Sequence, residues 1–346
     1  MPEASRSANV RVARRDTPET VDRFNGLRLG QKPTAAVHFS RGKTRRRCAR
    51  QAISPHGSPL PNTMNRATQE RALRVAVAAG RAAGQLMRRN LRSPKIVNAV
   101  TAHDIKLELD VRCQKLIERK LLAAFPATAV LGEEGVAGDA DSLLRWVVDP
   151  IDGTVNFTYG IPHACVSIAL QLRQAPTHDD ASFMTVVGMV YDPFCDEMWT
   201  AIRGGPARLN GRRVQVSTRH RLGEAVVAVG FGKEPAVLRR MVPAASALAQ
   251  HVRKVRIMGA AALGLAYVAS GRFDAYLEDG LRLWDIAAGG LLIECAGGEF
   301  WHRPVAGEHA FEIRANNGRL RSKLERYLPT CNSASKRPPS SPSSAA

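Results

Sequence analysis

The sequence contains no run of about 18 consecutive apolar residues, and it therefore predicts no transmembrane helix. It also lacks an apolar segment after its first basic residues, which argues against a secretory signal peptide. Six cysteines are scattered along the chain without any Cys-x-x-Cys pair. That pattern favours reduced thiols over a disulfide framework. We therefore expect a cytoplasmic protein that has no membrane partner.

Acidic residues are scarce in the first 63 positions, where thirteen Lys and Arg face four Asp and Glu. This segment carries +9 of the formal net charge of +19. Its lack of apolar periodicity predicts a disordered basic extension over residues 1–63. Three interpretations stay open: an organellar transit peptide, a basic arm that binds nucleic acid, and a translated upstream region with the functional chain starting at Met64. We favour the third, because a helical pattern begins directly after Met64.

Aromatic residues are nearly absent from the same segment, which holds only Phe24 and Phe39. Basic surfaces that bind single-stranded nucleic acid combine positive charge with aromatic side chains that stack on bases. The sequence therefore argues against a nucleic-acid partner. At the other end, the Ser- and Pro-rich residues 331–346 are predicted to form a disordered tail.

The intervening chain shows two styles of periodicity. Helical spacing predicts helices over residues 66–90 and 104–125, and the apolar runs "RWVVD", "ACVSIALQL", "VVGMVYD" and "EMWTAI" predict strands. After an Asn-Gly turn signal, strands such as "AVVAVGF" and "KVRIMG" alternate with helices, which indicates an α/β layer. We therefore predict an N-terminal, metal-binding α+β subdomain over residues 64–210 and a C-terminal α/β substrate subdomain over residues 211–330.

The segment "DPIDGT" places Asp149 and Asp152 at the end of an apolar run. Pro150 keeps Asp149 out of the α region, and the Gly-Thr pair that follows permits a tight turn whose backbone N–H groups can bind an anion. An isolated Asp-x-x-Asp is more often a turn cap than a metal site. Here two further acidic segments, with Glu133 and Asp285, complete the ligand set of a metal–phosphate site. Hard oxygen ligands without a nearby His or Cys favour Mg²⁺ over Zn²⁺.

Three segments, "GEEG", "WVVDPIDGTVNF" and "LWDIAAGGLLIECAGG", resemble the signature segments of the inositol monophosphatase family of Mg²⁺-dependent sugar and polyol phosphatases. The likeness runs from about Met64 to Leu328. It implies a layered α-β-α-β-α fold with two subdomains, an N-terminal antiparallel sheet and a C-terminal α/β layer. It also implies hydrolysis of a phosphomonoester by a metal-activated water, without a phosphoenzyme. Because the family commonly forms dimers, the resemblance leaves a homodimer as an open expectation.

The resemblance assigns roles to the residues at matching positions. Asp149 would bridge two Mg²⁺ ions, and the Thr154 hydroxyl and Asp110 would orient the attacking water. The implied metal ligands are Glu133, Asp149, the carbonyl of Ile151, Asp152 and Asp285. The implied catalytic residues are Asp110, Glu133 and Thr154. The implied substrate-binding residues are Asp152, Gly153, Thr154, Gly259, Ala260, Ala261 and Glu278.

One segment departs from the family pattern "D-x-V-T-x-x-D". Its threonine is replaced by Leu107, whereas Asp104 and Asp110 keep the two outer acids. The lysine expected about five positions before Asp104 is Ala99 here, and Lys95 lies nearby. These differences leave open whether a third metal ion binds.

Three functional hypotheses follow from the resemblance. The first is Mg²⁺-dependent hydrolysis of inositol monophosphate to myo-inositol and phosphate. The second is a related phosphomonoesterase that acts on histidinol phosphate, fructose 1,6-bisphosphate, adenosine 3′,5′-bisphosphate or NADP. The third is a regulator that binds nucleic acid or RNA polymerase, since some bacterial family members are linked to transcription. Glu278 matches the acid that hydrogen-bonds ring hydroxyls in myo-inositol enzymes, whereas Ala260 removes one hydroxyl contact.

Overall fold

The computed structural model describes residues 64–100, 105–175, 177, 179–232 and 234–328. The predicted basic extension, the predicted tail and Asp104 lie outside the described residues. The described residues all belong to one compact unit, which contains seven α-helices, two large sheets and one small sheet. None of these helices is long and apolar enough to cross a membrane.

An eight-stranded sheet forms the first β layer. Its strands are β3 Ala129–Gly132, β4 Gly135–Gly138, β5 Leu144–Asp152, β6 Cys165–Arg173, β7 Phe183–Asp192, β8 Glu197–Ile202, β9 Arg208–Leu209 and β10 Arg212–Arg213. They lie in the order β10-β9-β8-β7-β6-β5-β3-β4, and every neighbouring pair is antiparallel except β3 and β5, which are parallel. All nine residues of β6 are buried, as expected for a central strand covered on both faces.

A five-stranded sheet forms the second β layer. Its strands are β11 Val226–Val229, β12 Lys254–Arg256, β13 Ala275–Arg282, β14 Glu299–Pro304 and β15 Ala310–Asn316. They lie in the order β12-β11-β13-β15-β14. The pairs that include β11 are parallel, and β13, β15 and β14 pair antiparallel. The mixture agrees with the predicted alternation of strands and helices in this half of the chain. A separate two-stranded sheet joins β1 Val97–Val100 to β2 Ile105–Leu107.

The helices complete a five-layer arrangement. They are α1 Arg66–Asn90, α2 Glu108–Ala124, α3 Thr154–Thr158, α4 Pro235–Ala249, α5 Ala261–Ala269, α6 Leu283–Cys295 and α7 Arg321–Leu324. Helices α1 and α2 cover the outer face of the eight-stranded sheet, and α5 and α6 lie between the two sheets. Helices α4 and α7 cover the outer face of the five-stranded sheet. The order of layers confirms the predicted α-β-α-β-α fold.

The predicted start of the second helix is wrong. Residues 105–107 form strand β2, and α2 begins only at Glu108. The side chain of Leu107 is fully buried, and its backbone N–H donates a hydrogen bond of 2.8 Å to the carboxylate of Asp110. A residue whose N–H is satisfied by the side chain three positions later is a helix N-cap, so the helix cannot extend toward residue 104.

Two smaller expectations differ from the structure, and a third stays untested. Strand β5 does not stop at Asp149 but continues to Asp152 through an irregularity in its pairing with β6. The strand predicted from "KVRIMG" ends at Arg256. The predicted subdomain boundary after residue 210 falls inside the hairpin of β9 and β10, and β10 still belongs to the eight-stranded sheet. The division into two subdomains stays a prediction.

Close packing of α5 against α6 provides a test of the central layer. A Cβ atom at Gly289 would lie 2.6 Å from Cβ of Leu265, which the α5 backbone holds in place. Alanine favours a helix interior over glycine by about 1 kcal/mol, but overpacking a core costs about 1–3 kcal/mol. We expect Gly289→Ala to lower the free energy of unfolding by about 1–2 kcal/mol, measured by urea denaturation.

The control is Gly223→Ala, because a Cβ atom at Gly223 meets no atom within 4 Å. This substitution should leave stability unchanged or raise it by up to about 1 kcal/mol, since alanine restricts the unfolded chain. If Gly289→Ala is as stable as the control variant, the two helices do not pack as closely as the structure indicates.

Candidate metal centre

Two acidic segments meet at one edge of the eight-stranded sheet. Strands β3 and β5 are parallel, so their carboxyl ends lie at the same edge. Glu133 directly follows β3, and its backbone N–H donates to the carbonyl oxygen of Val148 in β5 at 3.2 Å. Asp149 and Asp152 lie in the last four positions of β5, and Oδ1 of Asp149 accepts a hydrogen bond of 3.0 Å from the N–H of Ile151. In parallel α/β sheets the crevice beyond the carboxyl ends of the strands is the usual ligand site, and β3 and β5 are the parallel pair of this sheet.

The N-terminus of α6 brings a third aspartate to this edge. Asp285 is the third residue of α6, and its Oδ2 accepts a hydrogen bond of 2.7 Å from the N–H of Arg282. Carboxylate oxygens of Asp149, Asp152 and Asp285 lie within 4.8 Å of one another. A helix N-terminus stabilises negative charge, so α6 both positions Asp285 and partly offsets the repulsion within the cluster.

The N-terminus of α5 supports the cluster from a second direction. The carboxylate of Asp152 accepts hydrogen bonds from the N–H of Ala261 at 3.0 Å and of Ala262 at 2.8 Å. The thiol of Cys165 donates to the same carboxylate at 3.4 Å. Ala260, the N-cap residue of α5, has no side chain that could cap the helix. Asp152 therefore caps α5 from a position 109 residues earlier in the chain.

Burial and mutual repulsion make the cluster costly to ionise without a cation. Burial raises the pKa of Asp149 well above its ordinary value, and the charges of Glu133, Asp152 and Asp285 raise it further. Burial, followed by the charge of Asp152, raises the pKa of Asp285 to about 7. Several carboxylates in a water-poor site, with no soft ligand among them, fit a hard divalent cation such as Mg²⁺. The charge of Glu133 raises the pKa of Asp149, but its carboxylate is not among the three whose oxygens lie within 4.8 Å of one another.

A tight turn follows the cluster. Gly153 adopts a left-handed φ of 89°, and α3 begins at the next residue. The Thr154 hydroxyl donates to the carbonyl oxygen of Ile151 at 2.8 Å, which leaves that carbonyl a second lone pair for a cation. Asp110 is buried, and its Oδ2 accepts from the N–H of Leu107. The implied partnership between Asp110 and Thr154 stays a prediction.

A wall beside the turn contains three of the residues implied in substrate binding, Gly259, Ala260 and Ala261. A Cβ atom at Gly153 would lie 3.1 Å from Cβ of Ala260 and 3.2 Å from the carbonyl oxygen of Gly259, so this wall touches the turn. The N–H of Ala261 is already bonded to Asp152. Burial raises the pKa of Glu278 to about 8, and among the smaller contributions the charges of Asp285 and Asp152 raise it too. Glu278 therefore belongs to the same electrostatic site.

Three residues that make these contacts escaped the analysis of the sequence. Cys165 donates to Asp152, the Tyr276 hydroxyl donates to Glu278, and the Asn156 side chain bonds backbone carbonyls 102 and 103 residues later. Asn156 belongs to the quoted motif, but its partners are remote in sequence. Lys95 makes no such contact with the described residues of the cluster. Its Nζ donates to the carbonyl oxygens of Asn90, Leu91 and Ser93, and it therefore caps the C-terminus of α1.

Comparison with known proteins agrees with this geometry. Residues 68–330 match the model of the inositol monophosphatase family, and the chain belongs to that family. The "Nus factor SuhB" of Xylella fastidiosa is 37% identical over 233 residues, which cover 66% of this chain and 81% of that protein. The "Inositol-1-monophosphatase" of Rhizobium meliloti is 42% identical over 206 residues, which cover 56% and 71%. The solved structure of extragenic suppressor protein suhB from Bartonella henselae matches with a TM-score of 0.67 at 35% identity, covering 75% of this chain and 99% of that one.

The family membership confirms the resemblance found in the sequence. The family is of the phosphatase type, and the acidic cluster fits the Mg²⁺ dependence that the sequence predicts. The expectation that nucleic acid is not a partner finds no support, because one relative carries the name Nus factor. The comparisons leave the homodimer as an expectation.

The raised pKa of Asp285 predicts how stability depends on pH in the metal-free protein. A carboxyl group whose pKa is raised on folding destabilises the native state when it ionises. For Asp285, this unfavourable contribution to the free energy of unfolding grows from about pH 4 to pH 8. Asp285→Asn removes this charge and keeps an oxygen for the N–H of Arg282. In EDTA, the free energy of unfolding of the variant minus that of the native chain should be larger at pH 8 than at pH 5 by at least about 1 kcal/mol.

Urea denaturation at both pH values measures this difference. The control is Asp139→Asn, an exposed acid after β4, which should show the same difference from the native chain at both pH values. If the difference in free energy of unfolding between Asp285→Asn and the native chain is the same at both pH values, or is larger at pH 5, Asp285 is not in a repulsive cluster.

Proposed function

We propose that this chain is a Mg²⁺-dependent phosphomonoesterase that hydrolyses inositol monophosphate to myo-inositol and phosphate. One observation supports the proposal most: three aspartates from β5 and α6 bring their oxygens within 4.8 Å of one another at the edge of the sheet. A related phosphomonoester, such as histidinol phosphate, fructose 1,6-bisphosphate, adenosine 3′,5′-bisphosphate or NADP, is the alternative substrate within the same chemistry. The cytoplasm is the proposed location.

Two Mg²⁺ ions, when bound, would make a water more acidic and neutralise the phosphate oxygens and the departing alkoxide. Asp149 suits the role of shared ligand, because it interacts electrostatically with Glu133, Asp152 and Asp285. Glu133, Asp149 and the carbonyl of Ile151 would form one ligand group, and Asp149, Asp152 and Asp285 the other.

The turn at Gly153 would bind the phosphate. Its left-handed φ directs the chain into α3, whose first N–H groups have no partner within the helix. Such groups bind anions well. The Thr154 hydroxyl is held by Ile151, next to the cluster, and it would help to orient the water with Asp110. Hydrolysis of phosphate monoesters is very slow without catalysis, so this combination of charges is needed in one place.

Glu278 would select a substrate with ring hydroxyl groups. It lies between Tyr276, which donates to its Oε2, and Gly230, where a Cβ atom would overlap the carboxylate. This packing fixes the carboxyl group at the wall that the resemblance places against the ring. A carboxyl held in one orientation is a specific hydrogen-bond partner for a hydroxyl group.

A second candidate function rests on the name of a relative. The "Nus factor SuhB" of Xylella fastidiosa matches two thirds of this chain, and a net charge of +19 suits an acidic or nucleic-acid partner. A Nus-type role would use a surface and not the acidic cluster. Asp149→Asn would therefore abolish phosphatase activity and leave binding to RNA polymerase unchanged.

The first test of the phosphatase is Asp149→Asn. The substitution keeps the side-chain shape and removes the charge that both ions would share. We expect turnover of inositol monophosphate to fall by at least about 10³-fold, equivalent to about 4 kcal/mol of transition-state stabilisation, and Mg²⁺ affinity to fall more than in Asp152→Asn or Asp285→Asn. Phosphate release and calorimetric Mg²⁺ titration measure the two effects, with Asp139→Asn as the control.

The turn-capping interpretation predicts a different outcome for the same variant. Loss of a cap costs about 1 kcal/mol of stability and leaves metal affinity unchanged. Full turnover by the native chain in excess EDTA would also contradict the proposal, because no other group in the cluster could replace the cation.

The second test concerns the choice of substrate. Glu278→Gln should raise the KM for inositol monophosphate by about 10-fold, about 1.4 kcal/mol, since leaving a buried hydrogen-bonding group without its partner costs about 1–3 kcal/mol. The KM for p-nitrophenyl phosphate should stay the same, because that ester has no ring hydroxyl groups. Equal effects on the two esters would show that Glu278 acts on the cluster and not on the ring.

A further inference from the structure

Asn156 connects the metal-binding turn to the segment before α5. It lies in α3, two residues after Thr154, and is half-buried. Its Nδ2 donates to the carbonyl oxygens of Met258 at 2.8 Å, His163 at 3.0 Å and Gly259 at 3.3 Å. An amide NH₂ carries two hydrogens, so the two shorter bonds are the main ones and Gly259 shares a donor.

The same turn also bonds the start of α5 through a side chain that accepts hydrogen bonds, whereas Asn156 donates them. Asp152 accepts hydrogen bonds from the N–H groups of Ala261 and Ala262, at the start of α5. The 152–156 turn thus offers a carboxylate to the N–H groups of the helix and an amide to the carbonyls that precede it. Since Ala260 cannot cap α5, Asp152 supplies the partners of its first N–H groups, and Asn156 bonds the carbonyl oxygens of the two residues before the N-cap.

Contact between the two segments is close on both sides. A Cβ atom at Gly153 would lie 3.1 Å from Cβ of Ala260 and 3.2 Å from the carbonyl oxygen of Gly259, and a Cβ atom at Gly259 would lie 3.2 Å from Nδ2 of Asn156. Both glycines have a left-handed φ, of 89° and 74°. The space between the segments therefore has a fixed width, and Asn156 fills it.

We propose that Asn156 is a positioning residue that holds the 258–262 segment against the metal-binding turn, and thereby fixes the orientation of Asp152 and the substrate wall together. This inference rests on the proposed function. Both oxygens of Asp152 are bonded to the start of α5, so a shift of that segment would rotate the carboxylate. The side-chain amide of Asn156 donates to the backbone carbonyls of Met258 and Gly259, and it therefore restrains the segment immediately before those N–H groups. Metal affinity and substrate affinity should therefore fall together when the amide is removed.

The test compares Asn156→Ala with Thr158→Val. Thr158 lies in the same short helix, and its hydroxyl donates to the carbonyl oxygen of Thr154 at 2.8 Å, so its removal deletes a bond within α3 only. Asn156→Asp is a second variant, because it keeps the shape of the side chain but an ionised carboxylate cannot donate to the three carbonyls. Thermal melting in EDTA confirms that each variant is folded.

The rate of backbone hydrogen exchange in the metal-free proteins measures how firmly the 258–262 segment is held. Backbone amides of residues 258–264 should exchange at least about 10-fold faster in Asn156→Ala and Asn156→Asp than in Thr158→Val. Calorimetric titration should show Mg²⁺ binding weakened at least about 10-fold in Asn156→Ala, with kcat/KM for inositol monophosphate reduced at least about 30-fold. Thr158→Val should resemble the native chain in all three measurements.

Two results would overturn the proposal. Exchange rates equal to those of Thr158→Val would show that Asn156 does not hold the segment. Faster exchange with unchanged Mg²⁺ affinity would show that the contact has no influence on the site. If the native chain hydrolyses no phosphomonoester, the proposed function fails, whereas exchange and Mg²⁺ titration still decide the role of Asn156.

Discussion

Repulsion between clustered carboxylates, of which Asp149 and Asp152 are buried, is the constraint on which the rest of this structure depends. Asp149, Asp152 and Asp285 bring their oxygens within 4.8 Å of one another, and Glu133 adds a fourth charge. Like charges at this separation in a water-poor site oppose folding unless protons or cations offset them. The same arrangement of oxygen ligands suits a hard divalent cation. The same carboxylates therefore lower the stability of the metal-free protein and suit it to bind a cation.

The layered fold supplies the compensation that the cluster needs. Helices α5 and α6 lie between the sheets and direct their N-termini at the acids, so that Asp152 and Asp285 accept backbone N–H bonds. This geometry requires the helices to approach closely. Gly188 in β7 faces the backbone of Ala288 in α6, with 3.0 Å between a Cβ atom built there and the carbonyl oxygen. The small residues of the central layer thus serve electrostatics as well as packing.

The sequence was most informative where a function is encoded by adjacent residues. The "DPIDGT" segment and the aspartate of "LWD" predicted the cluster, because a strand end and a helix start fix where such side chains lie. Contacts between remote segments could not be predicted in this way. Asn156 finds its partners 102 and 103 residues later, and Asp152 caps a helix 109 residues away. Local periodicity also predicted a helix at residues 105–107, where pairing with β1 instead forms a strand.

The replacement of the family threonine by Leu107 shows how a site tolerates the loss of a polar group. Leu107 is fully buried among the apolar side chains under the eight-stranded sheet, so the position contributes to the core and not to the metal site. Asp110 nevertheless keeps its orientation, because it accepts from the backbone N–H of Leu107, which every residue except proline provides. The hydrogen bond that orients Asp110 therefore does not require a hydroxyl at position 107. The three-aspartate cluster, which is built by other elements, does not depend on that hydroxyl.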